Sequence, residues 1–159
     1  ALHTAGLPKK IQLKWPNDIF YDNKKLGGIL IETTRCNKKT MVVIGIGINQ
    51  HKLDTNHKLN HDTISLNEIT QSKSNSQELI AKIINQLTTH MKDFEKNGLA
   101  RCVNLWEKYD MTFKQTISVT QNQIKITGTG LGINAAGELL LDDETGIQHA
   151  INSGSIQLK

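Results

Sequence analysis

A chain of 159 residues, 37% hydrophobic and 21% charged, can bury the core of one domain, or of one domain and a small second. Its longest apolar run, Met41–Ile44, is far too short to span a bilayer, and no charged-then-apolar leader opens it, which suits a cytoplasmic protein that does not enter a membrane. The net charge of +4 is concentrated in residues 1–40, where eight lysines and arginines face three acids. Without interleaved aromatics or a recognition-helix pattern, that excess suits a small anion, or a merely solvated face, better than nucleic acid.

In chain order, Ala1–Gly6 has the texture of a helix tail stopped by Gly6 and Pro8. Ile11–Lys14, Leu26–Glu32 and Met41–Gly45 predict three strands of an antiparallel meander, with polar turns at Tyr21–Lys25 and Thr33–Thr40. Val42, Val43 and Ile44 run without alternation, which predicts a strand covered on both faces. Residues 50–75 form a long polar loop in which Thr63–Ile69 starts a short helix. From Ser76, Leu79, Ile80, Ile83, Ile84, Leu87, Met91 and Phe94 keep helical spacing up to a stop at Gly98, with Lys92 and Lys96 suited to the helix end. Leu99–Tyr109 predicts a second, shorter helix, and its Trp106 reads as a core anchor.

From Thr116 the texture changes to short strands, "TISVT", "IKITGTGLGI", "ELLL", "IQHAI" and "SIQL", separated by turn signals at regular spacing. This predicts a small β-barrel, too small for ample stability alone and therefore packed against the rest. Cys36 and Cys102 lack any partner spacing and read as free thiols of a reducing compartment. His51, His57 and His61 in the polar loop have no carboxylate support for a metal.

Three stretches concentrate chemistry. In Lys14–Asp18, "KWPND", Pro16 forces a turn that throws Lys14, Asn17 and Asp18 out at a strand end. In Lys24–Glu32, two lysines precede Gly27 and Gly28 inside a strand, where glycines mark a close approach. In Gly45–Asn49, "GIGIN", two more glycines and an asparagine follow an apolar strand; Gln50 stands where a dinucleotide fingerprint would go on toward its third glycine and helix. Cations, bare backbone and an Asn/Asp pair together suit an anionic small molecule whose flat part lies on glycine, with a phosphate or acyl phosphate held by Lys14 and Lys25.

"KWPNDIF…KKLGGILIE…VVIGIGIN", with the later "GLARCVNLWEKYD" and the ending "SGSIQL", closely resembles the biotin protein ligases over almost the whole chain. The resemblance implies an α/β (α+β) fold: a class II synthetase-like mixed sheet, here partial, followed by a small SH3-like β-barrel, with residues 1–111 as the C-terminal portion of the catalytic domain and 112–159 as the barrel. It implies two-step ligation using biotin, ATP and Mg2+, with a biotin carrier protein domain of the acetyl-CoA carboxylase type as partner. Lys14 and Asp18 would be catalytic. Lys14, Asn17, Lys25, Gly28, Gly45, Gly47 and Asn49 would bind biotin and the adenylate, with no protein metal site. A non-catalytic docking or dimerisation module, or a lipoate-type acyl ligase, are the alternatives, and a homodimer is compatible with the resemblance.

The family's Arg/Gly-rich "GRGRxGR" loop has no counterpart among these residues, where Arg35 and Arg101 are the two arginines, nor does its serine/threonine-bearing biotin strand. The resemblance therefore implies the C-terminal part of a ligase, beginning inside the helix ahead of "KWPND", inactive by itself and without contact to nucleic acid. His51–Asp62 takes the place of the family's adenylate-binding loop, and Thr63 stands where some members put an aromatic.

Overall fold

The computed structural model describes residues 2, 10–37, 39–52, 62–72 and 75–159. The predicted helix tail, apart from Leu2, and the part of the polar loop with His57 and His61 lie outside them.

Four antiparallel strands form the first sheet in the order β1 (Ile11–Lys14), β2 (Asp18–Tyr21), β3 (Lys24–Cys36) and β4 (Lys39–Ile48). Strand β2 was hidden in the sequence between two turn signals. Asp22 and Asn23, both at positive φ (50° and 62°), make the two-residue β2–β3 turn, a conformation that Asp and Asn tolerate. The turn expected at Thr33–Thr40 is instead mostly ladder: Thr33 to Cys36 pair with Val42 to Lys39, and only residues 37–38 connect the strands. The β-branched threonines favour the extended chain there despite their polarity. A register shift between Ile19 and Phe20 leaves Leu26 as an extra residue in β3, fully buried.

The register separates two faces, because residues directly opposite each other point the same way. Leu13, Ile19, Ile29, Ile46 and Ile48 share the back face with their register partners, and Gln12, Lys14, Asp18, Gly28, Leu30, Gly45 and Gly47 share the front. Ile11, Ile19, Leu26 and Leu66 make a core behind the sheet. Leu66 belongs to α1 (Leu66–Thr70), which starts in a reciprocal cap: Ser65 accepts from the Glu68 N–H while Glu68 Oε2 accepts from the Ser65 N–H at 2.9 Å.

Helix α2 (Ser76–Asn97) runs from an Asn75 cap to Gly98, as its periodicity predicts, and α3 (Ala100–Glu107) follows. Its apolar stripe looks across a groove to Ile44, Ile46 and Ile48, yet no residue of α2 is buried; Ile80 and Ile84 are 55% and 56% exposed. The expectation that Val42–Ile44 is covered on both faces is overturned, since Val42 and Val43 are 43% and 60% exposed. The front of this end of the hairpin faces the open, and on its back α2 looks only across the groove at Ile44, which is half-buried, so Val42 and Val43 stay exposed.

The second sheet has the order β8 (Gln148–Ile151), β7 (Leu139–Asp143), β6 (Ile124–Ile133), β5 (Thr116–Gln121), β9 (Ser155–Leu158), antiparallel throughout. Its two outermost strands are joined by only Asn152–Gly154, about 10 Å of chain at full stretch, so the sheet must roll to bring the joined ends of β8 and β9 within that reach. The result is the SH3-like unit, lined by Ile117, Val119, Ile133, Leu139, Leu141, Ile151 and Ile156. Trp15 from the first sheet completes that core, with Leu99, Val103 and Trp106 of the α3 region packed around it.

Candidate functional site

A cleft of about 950 Å³ opens on the front of the first sheet, lined among others by Asn17, Asp18, Lys25, Gly28, Gly45, Gly47, Asn49 and Thr63. Its geometry follows from one row of register partners: Lys14 opposes Asp18, Asp18 opposes Gly28, and Gly28 opposes Gly47. A cation, a carboxylate and two bare backbone positions therefore cross all four strands on one face. Gly45 extends the bare strip, opposite Leu30.

The glycines in this strip have different reasons. A Cβ at Gly27 would collide with the Gly47 carbonyl oxygen, so Gly27 is required by backbone packing. At Gly45 the nearest atom to such a Cβ is 3.7 Å away, and at Gly47 it is 4.0 Å away. Packing within the chain would accept a side chain at both, and what glycine preserves there is the flat, open floor of the cleft. Gly28 lies between these cases, with Asn17 O and Asp18 Oδ1 at 3.4 Å.

Asp18 forms an ion pair with Lys25 at 2.6 Å. Lys14 is 8% exposed, set beyond the cleft wall at the Asp18 end, with Nζ 5.6 Å from the centre of the Phe20 ring, a cation–π distance. Burial holds the Lys14 ammonium's pKa below the ordinary lysine value; Asp18 pushes it back up and Lys25 lowers it further. The turn Trp15–Asn17 between β1 and β2 is pinned to β3, where Ile29 N–H donates to Asn17 O at 2.8 Å.

Asn49 knots the floor's end. Its side-chain nitrogen donates to Lys25 O (3.2 Å) and Ile64 O (3.3 Å), its N–H donates to Leu26 O, and its carbonyl accepts from Leu66 N–H. The segment returning from the polar loop meets β3 at Lys25 and Thr63, so Thr63 joins the wall. In the described part of that loop His51 Nδ1 lies 2.9 Å from Asn67 Nδ2. Thr63 was marked in sequence only by the resemblance, as a position where some family members put an aromatic; its place in the cleft wall is made by tertiary pairing with Lys25, 38 positions away, which no local pattern encodes.

The Biotin/lipoate A/B protein ligase family model matches residues 4–49, and the Biotin protein ligase C terminal domain model matches residues 113–159. The bifunctional ligase/repressor BirA of Escherichia coli K12 is 32% identical over 152 residues, 94% of this chain and 47% of that protein. The human biotin–protein ligase is 32% identical over 110 residues, 62% of this chain and 14% of that protein. Among solved structures, the biotin protein ligase from Aquifex aeolicus in complex with biotin and ATP aligns with a TM-score of 0.81 at 25% identity, covering 99% of this chain and 65% of that one. A chain with this sheet, this glycine floor and this terminal barrel belongs to the biotin protein ligase family. It spans about half the length of the BirA proteins that it matches.

Proposed function

We propose that the chain carries the lysine-and-glycine part of a biotin-activating site, the row Lys14–Asp18–Gly28–Gly47 being the observation that carries the reading. In the reaction, the biotin carboxylate attacks the α-phosphate of ATP and expels pyrophosphate, giving biotinyl-5′-AMP. The ε-amine of a lysine on a biotin carrier domain then attacks the mixed anhydride's carbonyl, AMP leaves, and the amine gives up a proton.

Bringing a carboxylate onto a phosphate joins two anions, so the step needs a cation placed before the charge develops. Lys14 supplies it, its flexible stem carrying the ammonium from the Phe20 ring toward the acyl phosphate. Lys25 meets a second phosphate oxygen from the cleft wall, and Asp18 holds Lys25 in place and orients the incoming amine. Gly28, Gly45 and Gly47 let the flat parts of biotin and adenylate lie on backbone. Asn17 borders the cleft, and Asn49 offers its side-chain oxygen, since its nitrogen is committed to Lys25 O and Ile64 O.

Magnesium would enter with ATP, ligated chiefly by phosphate oxygens and water. Asp18, the one carboxylate on the described cleft wall, is already paired to Lys25, which fits a nucleotide-borne ion better than a protein-held one. Residues 1–111 act as the catalytic part and 112–159 as the barrel domain. The exposed free thiols of Cys36 and Cys102 suit a reducing, cytoplasmic setting. The N-terminal family model spans lipoate ligases too, whereas the C-terminal one is of biotin protein ligases, which favours biotin over lipoate.

The test is ATP- and biotin-dependent label transfer to a carrier domain by the protein containing this chain. Lys14→Ala should abolish transfer while the fold is kept; near-normal transfer overturns the assignment of Lys14. Carrier binding without ATP and without transfer would mark a docking module instead.

A further inference from the structure

Trp15 lies between two residues of the candidate site in sequence, but its side chain belongs to the other domain. It is 5% exposed and packs with Ile117, Val119 and Leu139 in the barrel core, and its indole Nε1–H donates to Gly137 O at 3.0 Å. That carbonyl sits in a turn braced by Asn134, whose Oδ1 accepts from the Ala136 and Glu138 N–H groups. The barrel's acceptor is therefore held, and it does not drift with the indole.

The outer edge of β1 is gripped as well. Leu13 N–H donates to Tyr109 O at 2.7 Å and its carbonyl accepts from Met111 N–H at 3.0 Å, so the segment entering the barrel runs beside β1 like a further strand. The buried Asp110 at its centre accepts from Trp106 Nε1 at 3.0 Å, Thr112 N at 2.8 Å and Thr112 Oγ1 at 2.6 Å. Lys14 thus follows a residue clamped by this segment and precedes a residue clamped by the barrel. Only the three-residue turn Trp15–Asn17 separates it from Asp18.

We propose that Trp15 is a positioning residue, through which the docked barrel sets where Lys14 and Asp18 stand on the front of the sheet. A displacement of about 1 Å in a reacting group can cost on the order of a hundredfold in rate, so a rigid connection here matters to chemistry as well as to stability. The catalytic meaning rests on the proposed function; the positional claim needs no ligand to be read.

The test is competitive acetylation of lysines, followed site by site by mass spectrometry, on the intact chain. Trp15→Phe removes the indole N–H while keeping an aromatic ring. Replacement of Trp15 by 3-benzothienylalanine removes the N–H while keeping the bicyclic shape, which covers the case in which Trp15→Phe fails to fold. Ile151→Val trims the same core without touching the hydrogen bond. The expected result is that acetylation of Lys14 rises about threefold to tenfold in the Trp15 variants, the range that losing one hydrogen bond allows, with Lys125, exposed near the start of β6, unchanged and Ile151→Val like the parent. Unchanged Lys14 acetylation in the benzothienylalanine variant, or an equal rise in Ile151→Val, overturns the proposal. If the parent protein failed to bind biotinyl-5′-AMP, the proposed function would fall while these labelling ratios would still decide the role of Trp15.

Discussion

Asp18 closes on Lys25 at 2.6 Å while standing in register with Lys14, so a single carboxylate serves two cations that would otherwise repel each other. Asp18 raises the pKa of Lys14 and Lys25 lowers it. Removing the carboxylate should therefore shift Lys14 further down, because burial and Lys25 both disfavour its charge. The pH dependence of Lys14 acetylation in Asp18→Asn reads this directly, and a shift upward would contradict it. Both partners of the pair reach solvent, so the loss of stability should stay within about 1 kcal/mol.

Burial makes Lys14 a stability cost at neutral pH. Its folded-state pKa is lowered, so the unfolded chain holds that proton more tightly. Between the folded-state value and the unfolded value of about 10.4, this residue's contribution to stability rises with pH. Lys14→Met should be more stable than the parent at pH 7, with the gap narrowing as pH approaches 10.5, as measured by urea midpoints across that range. A gap that widens with pH would contradict the reading. The same substitution should abolish ligation.

Gly27 and Gly47 separate structural from functional glycine. Gly27→Ala drives a methyl into the Gly47 carbonyl and should cost about 1–3 kcal/mol, seen as a lowered thermal midpoint. Gly47→Ala meets nothing closer than 4.0 Å and should melt close to the parent while losing adenylate binding. Calorimetric unfolding and adenylate titration of the two variants check both halves, and equal destabilisation would sink the distinction.

In the barrel, Asp143 holds the turn after β7. It accepts from His149 at 2.7 Å, from Thr145 N–H and Oγ1–H at 2.8 and 2.6 Å, and from Ile147 N–H at 3.0 Å. The hydrogen bond from His149, then that from Thr145, hold its carboxyl well below the usual aspartate range. The stability this gives is present above the ordinary aspartate pKa of about 3.9 and lost as pH falls through the depressed one. Asp143→Ala should lower the thermal midpoint at pH 7 and flatten its decline below pH 4, both visible by circular dichroism.

Much of this was legible in the letters. The alternation of "IQLK", the helical spacing from Leu79 to Phe94 and the evenly spaced turns after Thr116 are local patterns, and the corresponding elements form. Strand β2 was masked because "DIFY" lies between two turn signals, and "TTRC" was too polar to read as ladder. The resemblance picked Gly28, Gly45 and Gly47 and left out Gly27, but gave no physical reason; the packing supplies one, since Gly27 is packed tight while Gly45 and Gly47 are open. The partner of Trp15 lies 122 residues away, a tertiary relation that no local pattern encodes. The stripe of α2 has the same character: periodicity fixes which face is apolar, and packing alone decides that Leu79 meets the core while Ile80 and Ile84 stay exposed.

The most direct measurement is the titration of biotinyl-5′-AMP into the isotopically labelled chain, followed by the amide shifts of individual residues. Shifts concentrated at Gly28, Gly45, Gly47 and the Asn17–Asp18 turn, and lost in Lys14→Ala, are the predicted result. Shifts confined to the back face at Ile44, Ile46 and Ile48, or none at millimolar ligand, would contradict the assignment of this cleft.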